Sequence, residues 1–284
     1  MVSRCAPSRR LDITLVDLLT IINIGGAIFP IIFLRLQPRI GFPWTVRTIG
    51  FIMIACSAIA LPVLLLNQRG PRPTSPRRFI DWSAFRELPF DFFAVANILI
   101  FLAYYIPLFY GPTFATSVLS VSRDTAFYQL AALNAASLFG RLGSSALTPR
   151  FGAPNFLLFS VLASMIMIFG WIGVTSSAGW WVWSVVYGFF SGMLISANPV
   201  VVAQPVLSKD SSVMGTRMGM IWFLAAVGVL VSAPIGGALL GSATGSQTST
   251  PYLKLRALDG AVMAGGTLTL LVPLIAIRRY KPPS

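Results

Sequence analysis

Arg141 is the residue whose type and spacing best suit it to chemistry. It closes the apolar run "AFYQLAALNAASLFGR" at 126–141, with Asn134 and Ser137 before it. Steps of three and four residues place all three on one helix face. Turned inward, that face can hold an anionic solute, because the planar guanidinium fork matches a carboxylate. At a helix end the same arginine can instead snorkel to lipid headgroups. Tyr104, Tyr105 and Tyr110 share a second apolar run with Asn97. They either line a cavity for an aromatic or carboxylated solute or form an interfacial belt. In a third run, Tyr187 precedes Asn198 and Pro199. The proline either opens backbone groups to a cavity or reflects packing. Arg47, beside Trp44, meets solute from the outer side or anchors the chain at the interface.

Other chemistries lack their residues. The chain contains no histidine, which removes the commonest general base and zinc ligand. Cys5 and Cys56 are far apart and suggest neither a disulfide nor a metal site. The stretch "FGRLGSSALTPRFG" at 139–152 is glycine-rich and basic, yet it lacks the Gly-Lys-Ser/Thr ending and preceding strand of a phosphate loop. No nucleophile–base pair presents itself, so neither an enzyme nor a cofactor or metal site is expected. No acidic residue sits deep in a span: Asp12 and Asp17 are in or near the first turns of the first, and Asp91, Asp124 and Asp259 flank others. No proton-binding group is therefore expected inside the bundle.

The elements that must position these residues are membrane helices. Of 284 residues, 56% are apolar and 10% charged, against roughly 45–50% and about 25% in soluble domains. Eight runs are long enough to cross a bilayer, near 13–34, 44–66, 92–114, 126–147, 156–174, 180–203, 218–241 and 257–277. They are too long for strands, so the fold is an all-α polytopic membrane protein. The first run is too long for a signal peptide core and is read as a retained helix. The net charge of +13 lies between the runs, where it reports topology rather than nucleic-acid binding. Arg4, Arg9, Arg10, Arg69, Arg72, Arg77 and Arg78 fall with most other basic residues on one side. Arg35, Arg39, Arg123, Lys254 and Arg256 fall on the other. The positive-inside rule then places both termini in the cytoplasm, with the basic 35–43 turn as the exception. Residues 67–91, rich in proline and arginine, form a linker between a two-helix unit (1–66) and a six-helix unit (92–284). "GFFSG" at 188–192 and "GALLG" at 237–241 are small-residue steps that let helices approach closely.

A short repeat, "IGGAIF" at 24–29 and "IGGALL" at 235–240, falls at equivalent places if two six-helix halves are assumed. On "GGAIFP" at 25–30, "RIGFPWTVR" at 39–47, "FIDWSAFRELPF" at 79–90, "VYGFFSGMLISANPVVVAQ" at 186–204 and "GTRMGM" at 215–220, the chain resembles the major facilitator superfamily, and within it the fungal relatives of monocarboxylate transporters. The resemblance implies a partial twelve-helix fold that lacks the first four helices. It implies secondary transport of a small organic solute at the plasma membrane, with lipids as neighbours and oligomeric state open. A truncated, inactive remnant or a partner subunit is the other reading. In animal monocarboxylate transporters an aspartate stands four residues before the matching arginine; Ser137 stands here. The turn at 145–152 resembles the superfamily's gate signature, of which Arg150 and Gly152 remain while Pro149 replaces the acid.

Overall fold

The computed structural model describes residues 9–66, 79–208, 211–241 and 250–280, with side chains described for 28–62, 79–208, 213–241 and 250–280. Arg4 and the linker residues Arg69, Arg72, Arg77 and Arg78 lie outside the described residues, as do the side chains of Arg9, Arg10, Asp12, Asp17 and the first Gly-Gly-Ala copy. Seven α-helices follow in order: α1 (Arg9–Leu66), α2 (Leu88–Ser117), α3 (Arg123–Phe151), α4 (Ala153–Gly170), α5 (Ser177–Val202), α6 (Ser211–Gly241) and α7 (Thr250–Arg279). There is no strand among the described residues. Six of these helices are long and apolar enough to cross a membrane. The exception is α3, which has the length but carries Arg123, Asp124, Gln129, Asn134, Arg141 and Arg150. The chain is an integral membrane protein.

Each expected span occurs as helix, and the differences lie in the connections. Residues 35–43 are not a loop. Helix α1 runs through them and breaks at Gly41 alone (φ 74°, ψ 166°), a backbone state that glycine adopts without a Cβ penalty. The linker ends sooner than expected, since a 3-10 turn at Ala84–Arg86 leads directly into α2 at Leu88. The turn after Arg141 is also shorter. Helix α3 continues to Phe151, and Gly152 (φ 80°) both ends it and starts α4. The Ser122 hydroxyl caps α3 by accepting from Thr125 N, and the Ser176 hydroxyl caps α5 by accepting from Gly179 N.

With lipid as apolar as the side chains, packing must come from close backbone approach. Helices α3 and α5 make it. A Cβ on Gly140 would lie 1.9 Å from the Phe189 carbonyl oxygen. One on Gly188 or Gly192 would lie 2.2 Å from the carbonyl oxygen of Leu133 or Ser137. The "GFFSG" step is thus a contact surface. In "IGGALL" the tight contact comes one residue before the "GALLG" step, at Gly236, which faces the Tyr110 ring. Near the α4–α5 turn the core is aromatic: Trp180 stacks on Trp183 at 4.7 Å, and Trp183 on Tyr187 at 4.7 Å. Phe114 and Trp171 close this cluster edge-on. Beyond Gly41, α1 turns Phe51, Ile54 and Ile59 outward.

At the opposite end, Arg217 ties the linker's ordered part to α6. It is 2% exposed; its Nε donates to Asp81 at 2.8 Å, both terminal nitrogens to Glu87 at 2.9 Å, and Nη1 also to the Leu207 carbonyl at 2.8 Å. Residues 79–87 are therefore a docked segment. The Ser83 hydroxyl, hydrogen-bonded to Asp81, holds that carboxyl below its usual value, with Arg217 adding to the effect.

Candidate functional site

Three helices bring the sequence candidates together. The α3–α5 glycine contact fixes α3 beside the bundle, and Arg141 emerges next to Tyr104 and Tyr105 of α2. The guanidinium lies within electrostatic reach of both phenols. The two rings meet edge-on at 5.0 Å. Arg141 is half-buried, and its buried Nε has no hydrogen-bond partner among the described residues. A buried donor without a partner is costly, about 1–3 kcal/mol.

The other members of the arginine's face divide. Asn134 is half-buried and donates to the Leu130 carbonyl at 3.0 Å. Ser137 is 2% exposed and turns towards α5, its hydroxyl donating to the Asn134 carbonyl at 2.8 Å. Ser137 thus belongs to the helix contact, while Asn134 and Arg141 stay on the accessible side.

Helices α2 and α5 are joined by polar bonds at two levels. The Tyr187 hydroxyl donates to the Tyr104 carbonyl at 3.1 Å, just before Pro107 interrupts the α2 ladder. About 10 Å along the axis, Asn198 donates to Asn97 Oδ1 at 2.5 Å. Asn198 Oδ1 itself is buried without a partner, beside Pro199. Asn198 therefore lies on the bundle's inner side, two levels from Arg141.

Two expected members lie elsewhere. Arg47 is exposed, its guanidinium 5.0 Å from the Trp44 ring centroid, in the manner of an interfacial anchor. Arg150 is exposed in the last turn of α3, and Gly152 is the joint beside it. The stretch before the α1 break is bonded to α3: Arg35 donates to the Tyr128 hydroxyl at 2.6 Å, and Arg123 donates to Gln37 at 2.5 Å.

One expectation is corrected. Asp259 does not flank its span. Helix α7 starts at Thr250, so Asp259 lies about 13 Å inside it and is 0% exposed. The reading from hydropathy started the helix at its apolar part. The Thr250-Pro251 pair, a helix-start signal, was the clue to the earlier beginning. Arg217 and Arg256 were likewise absent from the candidate residues. Arg256 is 5% exposed, donating to the Tyr252 and Trp171 carbonyls, with its guanidinium 4.9 Å from the Phe114 ring centroid.

Comparison with known proteins agrees with this architecture. The profile described as Major Facilitator Superfamily matches residues 1–233. The chain is 37% identical over 218 residues to the MFS-type transporter dbaD of Emericella nidulans, covering 77% of this chain and 48% of that protein. It is 32% identical to the aspyridones efflux protein apdF of the same organism, over 89% of this chain and 50% of the relative. It is also 32% identical to the agnestins efflux protein AgnL12 of Paecilomyces divaricatus, over 90% and 56%. The crystal structure of FucP, a Major Facilitator Superfamily transporter in the outward conformation, superposes with a TM-score of 0.61 at 14% identity, over 81% of this chain and 55% of FucP. The chain spans about half the length of the curated relatives it matches. On the profile match and on these identities, the chain belongs to the Major Facilitator Superfamily.

Proposed function

We propose that this chain takes part in secondary transport of a small organic anion bearing a carboxylate or enolate next to an aromatic or apolar body. The observation that carries the reading is Arg141: a half-buried guanidinium with an unpartnered Nε, within electrostatic reach of two phenols that meet edge-on in a transporter fold. The guanidinium supplies charge and fork geometry for the anion. Tyr105 supplies ring surface for its body, backed by the buried Tyr104, and Asn134 lies on the same face for a further polar contact. Two relatives are described as efflux proteins, which supports export as the direction. The distribution of basic residues supports cytoplasmic termini, and the resemblance to monocarboxylate transporters supports the plasma membrane. The exposed Arg150 and the Gly152 joint stand where the gate turn belongs in this reading.

Flux of radiolabelled aromatic carboxylates into membrane vesicles carrying the expressed chain tests the proposal. Arg141→Ala is expected to abolish saturable flux with surface expression intact, and Arg141→Lys to retain a small part of it. Equal flux in Arg141→Ala and the parent would refute the assignment.

A further inference from the structure

The docked segment 79–87 has two unlike sides. One is held in the bundle: Asp81 and Glu87 receive Arg217, Ala84 is buried, and the Asp81 backbone N–H donates to the Met220 sulfur at 3.4 Å. The other side is apolar and open. Phe79 is 97% exposed and Trp82 72%, and Ile80, Phe85 and Leu88 are exposed as well. Ring contacts hold these side chains in place. Trp82 lies 6.1 Å from Phe85, and Phe85 meets the buried Phe90 edge-on at 5.9 Å, so the open aromatics are rooted in the bundle.

Basic residues frame this surface. Arg86 is exposed within it, and Arg77 and Arg78 precede it in sequence. Successive helices alternate in direction, so the ends of α3 and α7 lie on the same side as the start of α2. Arg278, in the last turn of α7, bonds to Asn155 at the start of α4. These ends bring the exposed Arg150, Arg278 and Arg279, with the exposed rings of Phe151 and Tyr280 beside them. Depth follows from length. Helix α2 has 30 residues, about 45 Å, against a hydrocarbon core of about 30 Å. Its first turn, and the segment that enters it at Leu88, therefore fall among lipid headgroups.

We propose that residues 79–88 are a binding surface for anionic phospholipid headgroups. Phe79, Trp82 and Phe85 enter the interface, where aromatic side chains are favoured. The arginines meet the phosphates, and each basic residue at an anionic leaflet contributes roughly a fivefold gain in binding. Arg217 has a positioning role. By neutralising Asp81 and Glu87 it removes the two negative charges that would repel the same headgroups. Anionic lipid then holds the segment from outside and Arg217 from inside, and the start of α2 is fixed between them. This surface does not depend on what the chain transports.

The full chain is reconstituted in nanodiscs of phosphatidylcholine, alone or mixed with phosphatidylserine. Lipids brominated near the headgroup end of the acyl chains quench tryptophans at the interface. The difference between the parent and Trp82→Phe isolates Trp82 among the 7 tryptophans, and that component is expected to be quenched. Phosphatidylserine is expected to raise the melting temperature of the parent, by an amount that falls with added salt. The gain should shrink strongly in a variant combining Arg77→Gln, Arg78→Gln and Arg86→Gln. It should also shrink in Arg217→Met, where the two carboxylates lose their cation beside the lipid. An unquenched Trp82 component would mean that protein covers the surface, and it overturns the proposal. An equal phosphatidylserine gain in the triple variant overturns it too. So does a matching gain from inorganic phosphate in phosphatidylcholine discs, which would mark a small-anion site. Equal gains in Arg217→Met and the parent refute the role given to Arg217.

Discussion

Replacing Arg217 with methionine isolates what the docked segment 79–87 contributes. Methionine keeps most of the side-chain length and removes the charge with all four donated hydrogen bonds. The two ion contacts, at 2.8 and 2.9 Å, each carry about 6 kcal/mol of Coulomb attraction at an effective dielectric constant of about 20. Desolvation offsets most of that. Removing one partner of a buried pair costs about 3–5 kcal/mol, because the other charges stay buried and uncompensated. Asp81 and Glu87 keep 14% and 16% side-chain exposure, which favours the lower end, about 3 kcal/mol. At roughly 2–4 °C per kcal/mol for large domains, the melting temperature should fall by about 6–12 °C. The 7 tryptophans provide the signal for unfolding followed by intrinsic fluorescence in detergent. A second variant, combining Arg217→Met with Asp81→Asn and Glu87→Gln, should recover at least half of the loss, since no buried charge then lacks its partner. The acid limb should change as well. Asp81 is held below its usual value by Ser83 and Arg217, so its contribution is complete above about pH 4 and is lost as pH falls through the lower folded value. Arg217→Met should therefore lose less stability on acidification than the parent. An unchanged melting temperature in Arg217→Met, or no recovery in the combined variant, would show that the carboxylates are not dependent on the guanidinium.

Gly140→Ala should separate α3 from α5, because the new methyl would lie 1.9 Å from a backbone carbonyl that cannot rotate away; a loss of about 1–3 kcal/mol is expected, read as a lower melting temperature, while Gly215→Ala, a helical position that meets no atom within 4 Å, should not lower it and should raise it slightly. Gly152→Ala tests a different cost, since its neighbours leave room and only φ 80° resists a Cβ; about 1 kcal/mol should be lost in the same measurement.

Hydropathy located every helix, because a bilayer sets both the length and the polarity of a spanning segment. It misjudged helix ends for the same reason. Thr250 to Arg256 and Arg123 to Asp124 are polar enough to read as loop, yet both stretches are helical, and that displaced Asp259 from the core to the flank. Arg141 was legible because a charge at the end of a long apolar run is conspicuous. Its meeting with Tyr104 and Tyr105 was not, since nothing in the order of residues says which helices adjoin. The Arg217 cluster was hidden for a related reason: its partners lie 130 and 136 positions away, inside a segment that prolines and arginines mark as linker. The glycines at 188 and 192 announced a close contact, and only the structure shows that α3 is the helix received.

The polarity of α3 has a consequence for how the protein is made. An arginine or aspartate at mid-membrane depth disfavours insertion by about 2.5–3.5 kcal/mol, and α3 carries amides as well as charges. Its hidden faces lie against α1, which emerges from the ribosome earlier, and α5, which emerges later. Lipid alone holds α3 poorly, so during synthesis it must rest against α1 or remain at the insertion machinery until α4 and α5 follow. The backbone contacts at Gly140, Gly188 and Gly192 then form as the step that commits α3 to the bilayer. A defect at those glycines would appear first as a topology error in newly made chains, before any folded protein existed to be destabilised.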